Sequence, residues 1–118
     1  MAVYSAPMSK RAMQEASFLV LTALAAGSQH GYGIIRDVAE ISAGRVRLRA
    51  GTLYTALERL REDGLIEVER EEIVDSRLRR YYRLTSTGRE RLRTEASQIE
   101  ANAVVALQRL DLARGTAR

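Results

Sequence analysis

The stretch "GTLYTALERLREDGLI", residues 51–66, decides the fold because it combines a short amphipathic helix with a well-marked end. Its apolar residues recur at intervals of three and four, which places them on one face of an α-helix, namely Leu53, Ala56, Leu57 and Leu60. Gly64 marks the end of that helix, since glycine favours the position just past a helix C-terminus. The stretch therefore predicts a helix from about Ala50 to Asp63, with an outward face free for another task.

The residues that follow change period from 3.6 to 2, which is typical of β-strands. Apolar and polar side chains alternate in "LIEVER", residues 65–70, and again in "RYYRLT", residues 80–85. The intervening "EEIVDS" predicts a β-hairpin with Asp75 and Ser76 at its turn.

Two further helices are predicted before residue 51. The first spans 9–26, with Ser9 as its N-cap and Gly27 just past its end. Its second half, "ASFLVLTALAA", is apolar nearly all round, which indicates that a second surface is covered too, for example by another subunit. The second helix follows a turn at 27–31 and ends at Gly44, and its inner face carries Ile34, Ile35, Val38 and Ile41.

A long helix is predicted at the C-terminal end, over residues 86–114. Either Thr85 or a capping box from Thr87 to Glu90 opens it. At 1.5 Å per residue it would be about 40 Å long, which exceeds what three helices and a hairpin can cover. Its apolar stripe is therefore predicted to form a dimer interface, through Leu92, Ala96, Ile99, Ala103, Leu107 and Leu110.

Composition excludes several classes of function. The 118 residues fit one small domain, and a core this modest would benefit from a partner protomer. The chain has no cysteine and one histidine, His30, so no disulfide framework, metal site or cofactor is expected. The longest apolar run, residues 16–26, is too short to cross a bilayer, and the expected location is the cytoplasm.

The order of the elements predicts a mainly α fold with a small β-hairpin, in the form of a winged helix-turn-helix followed by a long dimerisation helix. The expected organisation is a flexible N-terminal arm at 1–8, a DNA-binding domain at 9–85, the dimerisation helix at 86–114 and a disordered tail at 115–118. In such a domain the third helix fits the major groove of duplex DNA, and the hairpin, or wing, reaches the backbone or minor groove beside it.

The positions of the arginines agree with that docking. The formal net charge of +4 is compatible with a polyanion partner, although a GC-rich genome would also favour arginine over lysine. Five arginines lie between residues 45 and 61 with Glu58 as the only acid, and four lie between 77 and 83 with none. Because four glutamates on the first wing strand would repel phosphate, the second strand is expected to face the DNA.

Three blocks of the chain, "HGYGIIRDV", "GTLYTALERLREDGLI" and "RRYYRLTSTGRERL", resemble the PadR family of bacterial transcriptional regulators in order and spacing. The resemblance covers most of residues 16–95, and the single C-terminal helix is similar to the short subgroup of that family. It implies a homodimer that binds double-stranded DNA, acts mostly as a repressor, and is released by a small molecule or another signal. The expected operator is an inverted repeat, since two recognition helices would meet successive major grooves.

Ten residues are predicted to contact DNA. Thr52 and Thr55 either read bases or cap the third helix, and Tyr54 either reaches a phosphate or packs as a core aromatic. Tyr32 resembles a residue with which the family contacts the DNA backbone. The arginines either contact phosphates or the minor groove, or they form a solvated charged face. The predicted set is Tyr32, Arg47, Arg49, Thr52, Tyr54, Thr55, Arg59, Arg77, Arg79 and Arg80.

Two other functions follow from the sequence. An effector pocket between the first and last helices, compatible with the repressor interpretation, would involve Met13, Ser17, Phe18, Ile99 and Asn102. The alternative is a winged-helix adaptor for protein contacts, which would bind DNA weakly and without sequence preference. No catalytic set of Ser, His and Asp and no glycine-rich phosphate loop is present, so an enzyme is not expected.

Overall fold

The computed structural model describes residues 13–116, with side chains as far as residue 112. It is mostly helical with a small antiparallel sheet, which confirms the predicted fold class. The elements in chain order are α1 (Glu15–Ala25), β1 (Gln29–His30), α2 (Gly31–Ile41), α3 (Ala50–Glu62), β2 (Ile66–Val74), β3 (Arg77–Leu84) and α4 (Ser86–Thr116). Among residues 13–116, none of the helices combines the length and the hydropathy that a membrane-spanning segment requires.

The core lies where α1, α2 and α3 meet the base of the sheet. The predicted seam of α3 is confirmed at its three leucines, Leu53, Leu57 and Leu60, which are at most 3% exposed, while Ala56 is half-buried. α1 contributes Val20 and Leu21, which are fully buried. This packing fixes the orientation of α3 and leaves its opposite face outside.

The inner face of α2 is shorter than predicted. Ile34 and Val38 are fully buried, but Ile41 is 41% exposed because the helix ends there. The next residue, Ser42, turns inward instead: its hydroxyl donates to the Val38 carbonyl at 2.9 Å and accepts from the Val46 N–H at 2.9 Å. The buried face of α2 therefore continues from Val38 to Ser42, which is 1% exposed, and passes by Ile41.

α1 begins later than the predicted residue 9. Gln14 is its N-cap, in an extended conformation with φ −66° and ψ 149°. The helix ends at Ala25 with Ala26 as its C-cap, so Gly27 lies just past the end as predicted. The predicted N-cap, Ser9, lies outside the described residues, as does the predicted arm at 1–8.

The sheet has three strands in the order β1-β3-β2, so the hairpin gains a short third strand that the sequence did not predict. Asp75 and Ser76 form the predicted turn with φ of 51° and 64°, and two such left-handed residues match the twist of a tight hairpin. A bulge between Val68 and Arg70 leaves Glu69 without a partner on β3 and shifts the register of the rest of β2.

α4 is joined directly to the body of the domain. The Thr85 hydroxyl donates to the Gly64 carbonyl at 2.6 Å and accepts from the Gly88 N–H at 3.0 Å, so Thr85 caps the helix. Gly88 lies against the Leu65 carbonyl so closely that a Cβ at this position would overlap it. That carbonyl also accepts from the Thr85 N–H at 3.1 Å, and the junction is therefore held from several sides.

Beyond this junction α4 leaves the domain. It has 31 residues, about 46 Å at 1.5 Å per residue, and ends at Thr116, two residues past the predicted 114. Leu92 packs against the core, whereas every residue from 96 to 112 is exposed. The last two residues of the predicted tail, 117–118, lie outside the described part of the chain.

Candidate nucleic-acid interface

The outward face of α3 is polar and exposed in its first two turns, and no neighbouring side chain covers it. Thr52 and Thr55 are exposed, and a Cβ at Gly51 would meet nothing within 4 Å. Within the described residues neither threonine hydroxyl makes a hydrogen bond, and the N-cap is Arg49, whose side chain makes no cap. The capping role considered for these threonines is therefore absent, and both hydroxyls are free to bind a ligand.

The second half of the same face carries charges of both signs. Glu58 and Glu62 are exposed there and line a cleft of about 530 Å³ with Tyr54, Thr55 and Arg59. Glu58 forms an ion pair with Arg61 at 3.4 Å. Carboxylates repel phosphates, so the arrangement favours an approach of DNA to the N-terminal half of α3.

A groove of about 480 Å³ lies between the N-terminus of α2, α3 and the wing. Half of the ten predicted residues line it, namely Tyr32, Tyr54, Arg77, Arg79 and Arg80. Tyr54 can lie at the floor of this groove only because residue 31 is glycine: a Cβ there would lie 2.6 Å from the Tyr54 hydroxyl oxygen. Tyr54 is 52% exposed and Tyr32 66%, so neither is a core aromatic.

The remaining predicted residues lie outside this groove. Thr55 and Arg59 line the cleft along α3, whereas Arg47, Arg49 and Thr52 line neither cavity. The guanidinium of Arg47 folds over Gly44, with its Nη2 3.1 Å from where a Cβ of that glycine would lie.

The arginines divide into paired and unpaired sets. Arg80 donates through Nε to Glu71 at 2.7 Å, an ion pair that raises the pKa of the guanidinium and partly neutralises its charge. Between residues 13 and 112 the other five predicted arginines have no carboxylate within ion-pairing distance, namely Arg47, Arg49, Arg59, Arg77 and Arg79. These five are the positive charges most available to an anionic ligand.

The expectation that the second wing strand faces the DNA stays a prediction, but the two strands do not separate the glutamates from the arginines. Residues opposite each other on neighbouring strands lie on the same face of a sheet. Glu71 therefore lies beside Arg80 and Glu72 beside Arg79, while Glu67 accepts from Arg83 at 2.8 Å. Acids and bases are mixed on both faces, which lowers the net charge of the wing.

The five residues of the predicted effector pocket do not come together within one chain. Ser17 is buried on α1, with Met13 and Phe18 partly buried beside it, whereas Ile99 and Asn102 are exposed on α4. The cleft that does lie between these helices, about 550 Å³, is lined by Ala25, Leu84, Arg89, Leu92, Arg93, Ala96, Ser97 and Glu100.

Five residues that were not predicted also line the groove, namely His30, Gly31, Val74, Asp75 and Leu78. His30 lines it, and its Nδ1 accepts from the Gly33 N–H at 3.2 Å, which makes it the N-cap of α2. Ile73 and Leu78 are cross-strand partners near the wing tip and are 77% and 59% exposed. The apolar pair could have been predicted, because Ile73 in "EEIV" and Leu78 in "RLRR" lie at equal distances from the predicted turn. The position of His30 could not, because it depends on β1, which was not predicted.

Three helices, a wing and a long additional helix define the class as a winged-helix protein with a separate C-terminal arm. The family model described as "Transcriptional regulator PadR-like family" matches residues 20–94. The chain belongs to the PadR-like family of transcriptional regulators, which are DNA-binding regulators and not enzymes.

Individual relatives agree with that assignment. Transcriptional regulator Rv3488 of Mycobacterium tuberculosis is 43% identical over 61 residues, which are 52% of this chain and 56% of the relative, so the match spans little more than half of that protein. A PadR family transcription regulator of Clostridium difficile has 26% identity and a TM-score of 0.71, over 82% of this chain and 99% of its own. Bacillus subtilis PadR, solved in complex with operator DNA, shares the fold at 24% identity and a TM-score of 0.59, over 66% of this chain and 45% of its own.

Proposed function

We propose that this chain is a homodimeric repressor in the cytoplasm that binds an inverted-repeat operator in double-stranded DNA and is controlled by a small molecule or another effector. The observation that carries the proposal is the groove between α2, α3 and the wing, where two exposed tyrosines and three arginines converge beside an uncluttered helix face. Membership of a family of transcriptional regulators supports it. So does the operator complex of Bacillus subtilis PadR, a protein with the same fold.

In the proposed complex the first two turns of α3 enter the major groove. Thr52 and Thr55 would contact base edges, since a threonine hydroxyl can donate or accept and its methyl group can meet a thymine methyl. The unpaired arginines on either side would neutralise phosphates and fix the register. Tyr32 and Tyr54 would add hydroxyl contacts to the backbone from the floor of the groove.

The part of α4 that leaves the domain supports the proposed homodimer. Ile99, Leu107 and Leu110 are 51%, 62% and 65% exposed, and they lie on one stripe with Ala96 and Ala103. Pairing two such helices would bury the stripe and hold two wing domains together. The proposed domains are therefore a DNA-binding unit at 9–85 and a dimerisation helix at 86–114, with two α3 helices about 34 Å apart on one face of the duplex.

Sequence-specific binding is tested by capturing genomic fragments with the purified protein and titrating the best fragment. We expect an enriched inverted repeat, and replacing both threonines with alanine should reduce discrimination between that fragment and a scrambled one by about 10-fold. The salt dependence should stay unchanged, because a hydroxyl releases no counterion. Uniform weak enrichment would instead favour the adaptor alternative.

Repression and effector control need a separate test. A reporter gene behind the captured fragment should be silent with the intact regulator and active when the regulator is deleted. Compounds that release the regulator should bind the dimer, because the predicted pocket residues on α1 and α4 do not meet within one chain. Activation of the reporter by the intact protein would contradict the repressor proposal.

A further inference from the structure

His30 is the only histidine of the chain, and the structure fixes the role of one of its ring nitrogens. Nδ1 accepts a hydrogen bond from the Gly33 N–H at 3.2 Å, so it must be unprotonated while α2 keeps this cap. In a neutral imidazole the proton then resides on Nε2. The cap therefore selects the tautomer that carries an Nε2–H donor.

That donor has no partner within the described part of the chain. Among these residues the side chain of His30 bonds through Nδ1 and not through Nε2, and no buried side-chain nitrogen or oxygen lacks a partner. Nε2 is therefore open to solvent. The ring lines the groove, where Tyr32 and Tyr54 contribute hydroxyls and the wing contributes arginines.

The surroundings keep the ring neutral and attract anions. Burial lowers the pKa of His30 and the positive charge of Arg79 lowers it further, whereas Glu72 opposes them. Arg77 and Arg80 also line the groove, with Asp75 as its only acid, and Tyr81 meets the ring edge-on at 5.4 Å between centroids. A neutral donor in a groove of this charge suits the oxygen of a phosphate.

We propose that His30 is a further DNA contact, whose neutral imidazole donates its Nε2–H to a phosphate of the DNA backbone while Nδ1 caps α2. The inference rests on the proposed DNA-binding function. It gives one residue two tasks: the cap orients the ring, and the oriented ring positions the phosphate against Tyr32 and the wing. His30 thus couples the geometry of the α2 entrance to the strength of DNA binding.

Two substitutions separate the tasks. His30→Asn retains an acceptor close to Nδ1 and keeps the cap, but it has no donor in the place of Nε2. His30→Gln can place its amide nitrogen near Nε2 but has no acceptor at the place of Nδ1. We expect His30→Asn to weaken binding to the captured fragment about 10-fold with an unchanged melting temperature. His30→Gln should lower the melting temperature by about 4 °C or more while losing less affinity than His30→Asn.

The salt dependence distinguishes a neutral contact from a charged one. A neutral N–H displaces no counterion, so the slope of log affinity against log salt should be the same for the wild type and His30→Asn. A slope reduced by about one per site would show that an imidazolium makes the contact and would overturn the tautomer assignment.

The tautomer is also directly observable, because a single histidine gives a single set of imidazole signals. In untagged protein with ¹⁵N-labelled histidine, we expect Nδ1 to be unprotonated and Nε2 protonated, and the Nε2 signal to shift when the DNA fragment is added. Wild-type affinity in His30→Asn, or an Nε2 signal unmoved by DNA, would overturn the proposal. Absence of DNA binding by the wild type would instead refute the proposed function itself.

Discussion

Replacing Arg77 and Arg79 together with glutamine should flatten the salt dependence of DNA binding. Both line the groove, and neither has a carboxylate partner between residues 13 and 112. The five unpaired arginines of each protomer would give ten phosphate contacts in a dimer, which corresponds to a slope of about −9 in log affinity against log salt. Removing four of these contacts should reduce the slope to about −5.

The difference is large enough to measure by fluorescence anisotropy with the captured fragment. Between about 50 and 200 mM salt the wild type should lose about 10⁵-fold in affinity and the double variant about 10³-fold. The matched control replaces Arg83 and Arg91 with glutamine, because both already pair with carboxylates, at 2.8 and 2.9 Å, and neither lines the groove. The control loses the same formal charge, so an equal change of slope in both variants would refute the assignment of phosphate contacts to the groove.

Three further predictions concern the fold and its assembly. Gly88→Ala should destabilise the domain by about 2–4 kcal/mol in urea unfolding, because its Cβ would overlap the Leu65 carbonyl. The control Gly51→Ala should stabilise the domain by about 0.5–1 kcal/mol, because a Cβ there meets nothing within 4 Å. Equal effects of the two substitutions would contradict the packing of the junction at Gly88. Deleting residues 97–118, beyond the part of α4 that packs on the core, should leave a folded monomer without specific DNA binding. The oligomeric state is measured by sedimentation, and a dimer of the shortened chain would contradict the proposed interface. Because the folded state lowers the pKa of His30, the associated stability is complete above the unfolded pKa of 6.5 and is lost as the pH falls towards the folded value. Wild-type protein should therefore lose more stability than His30→Asn between about pH 7 and pH 5, and parallel pH profiles would argue against that shift.

The helices were predictable where burial alone determines them. The seam of α3 has a clear period because Leu53, Leu57 and Leu60 are nearly completely buried, and the period disappears where burial ends. Ile41 shows the limit: its spacing fits the buried face of α2, but Ser42 satisfies the backbone at the helix end and takes the inner position. A polar residue that completes hydrogen bonds can thus replace an apolar one without a signal in the apolar pattern.

The sheet and the site were less predictable because they depend on register and on distant partners. The pairing of Glu71 with Arg80 requires the bulge after Val68, and nothing in the alternation of β2 indicates that a residue is skipped. β1 is only two residues long, too short for any period, yet it brings His30 to the groove. The effector pocket needs surfaces that one chain does not bring together, so its residues stay predictions.

The junction at Thr85 determines how motion at one end of the protein reaches the other. Thr85 is bonded to both the end of α3 and the start of α4, and Gly88 rests on the Leu65 carbonyl, so no flexible linker separates the two parts. α4 and the wing domain therefore form one rigid lever. With an arm of about 46 Å, a tilt of about 5° displaces the far end by roughly 4 Å. In a dimer the crossing angle of the two α4 helices would set the distance between the two α3 helices. A small change of that angle would therefore change the spacing of the DNA-binding surfaces.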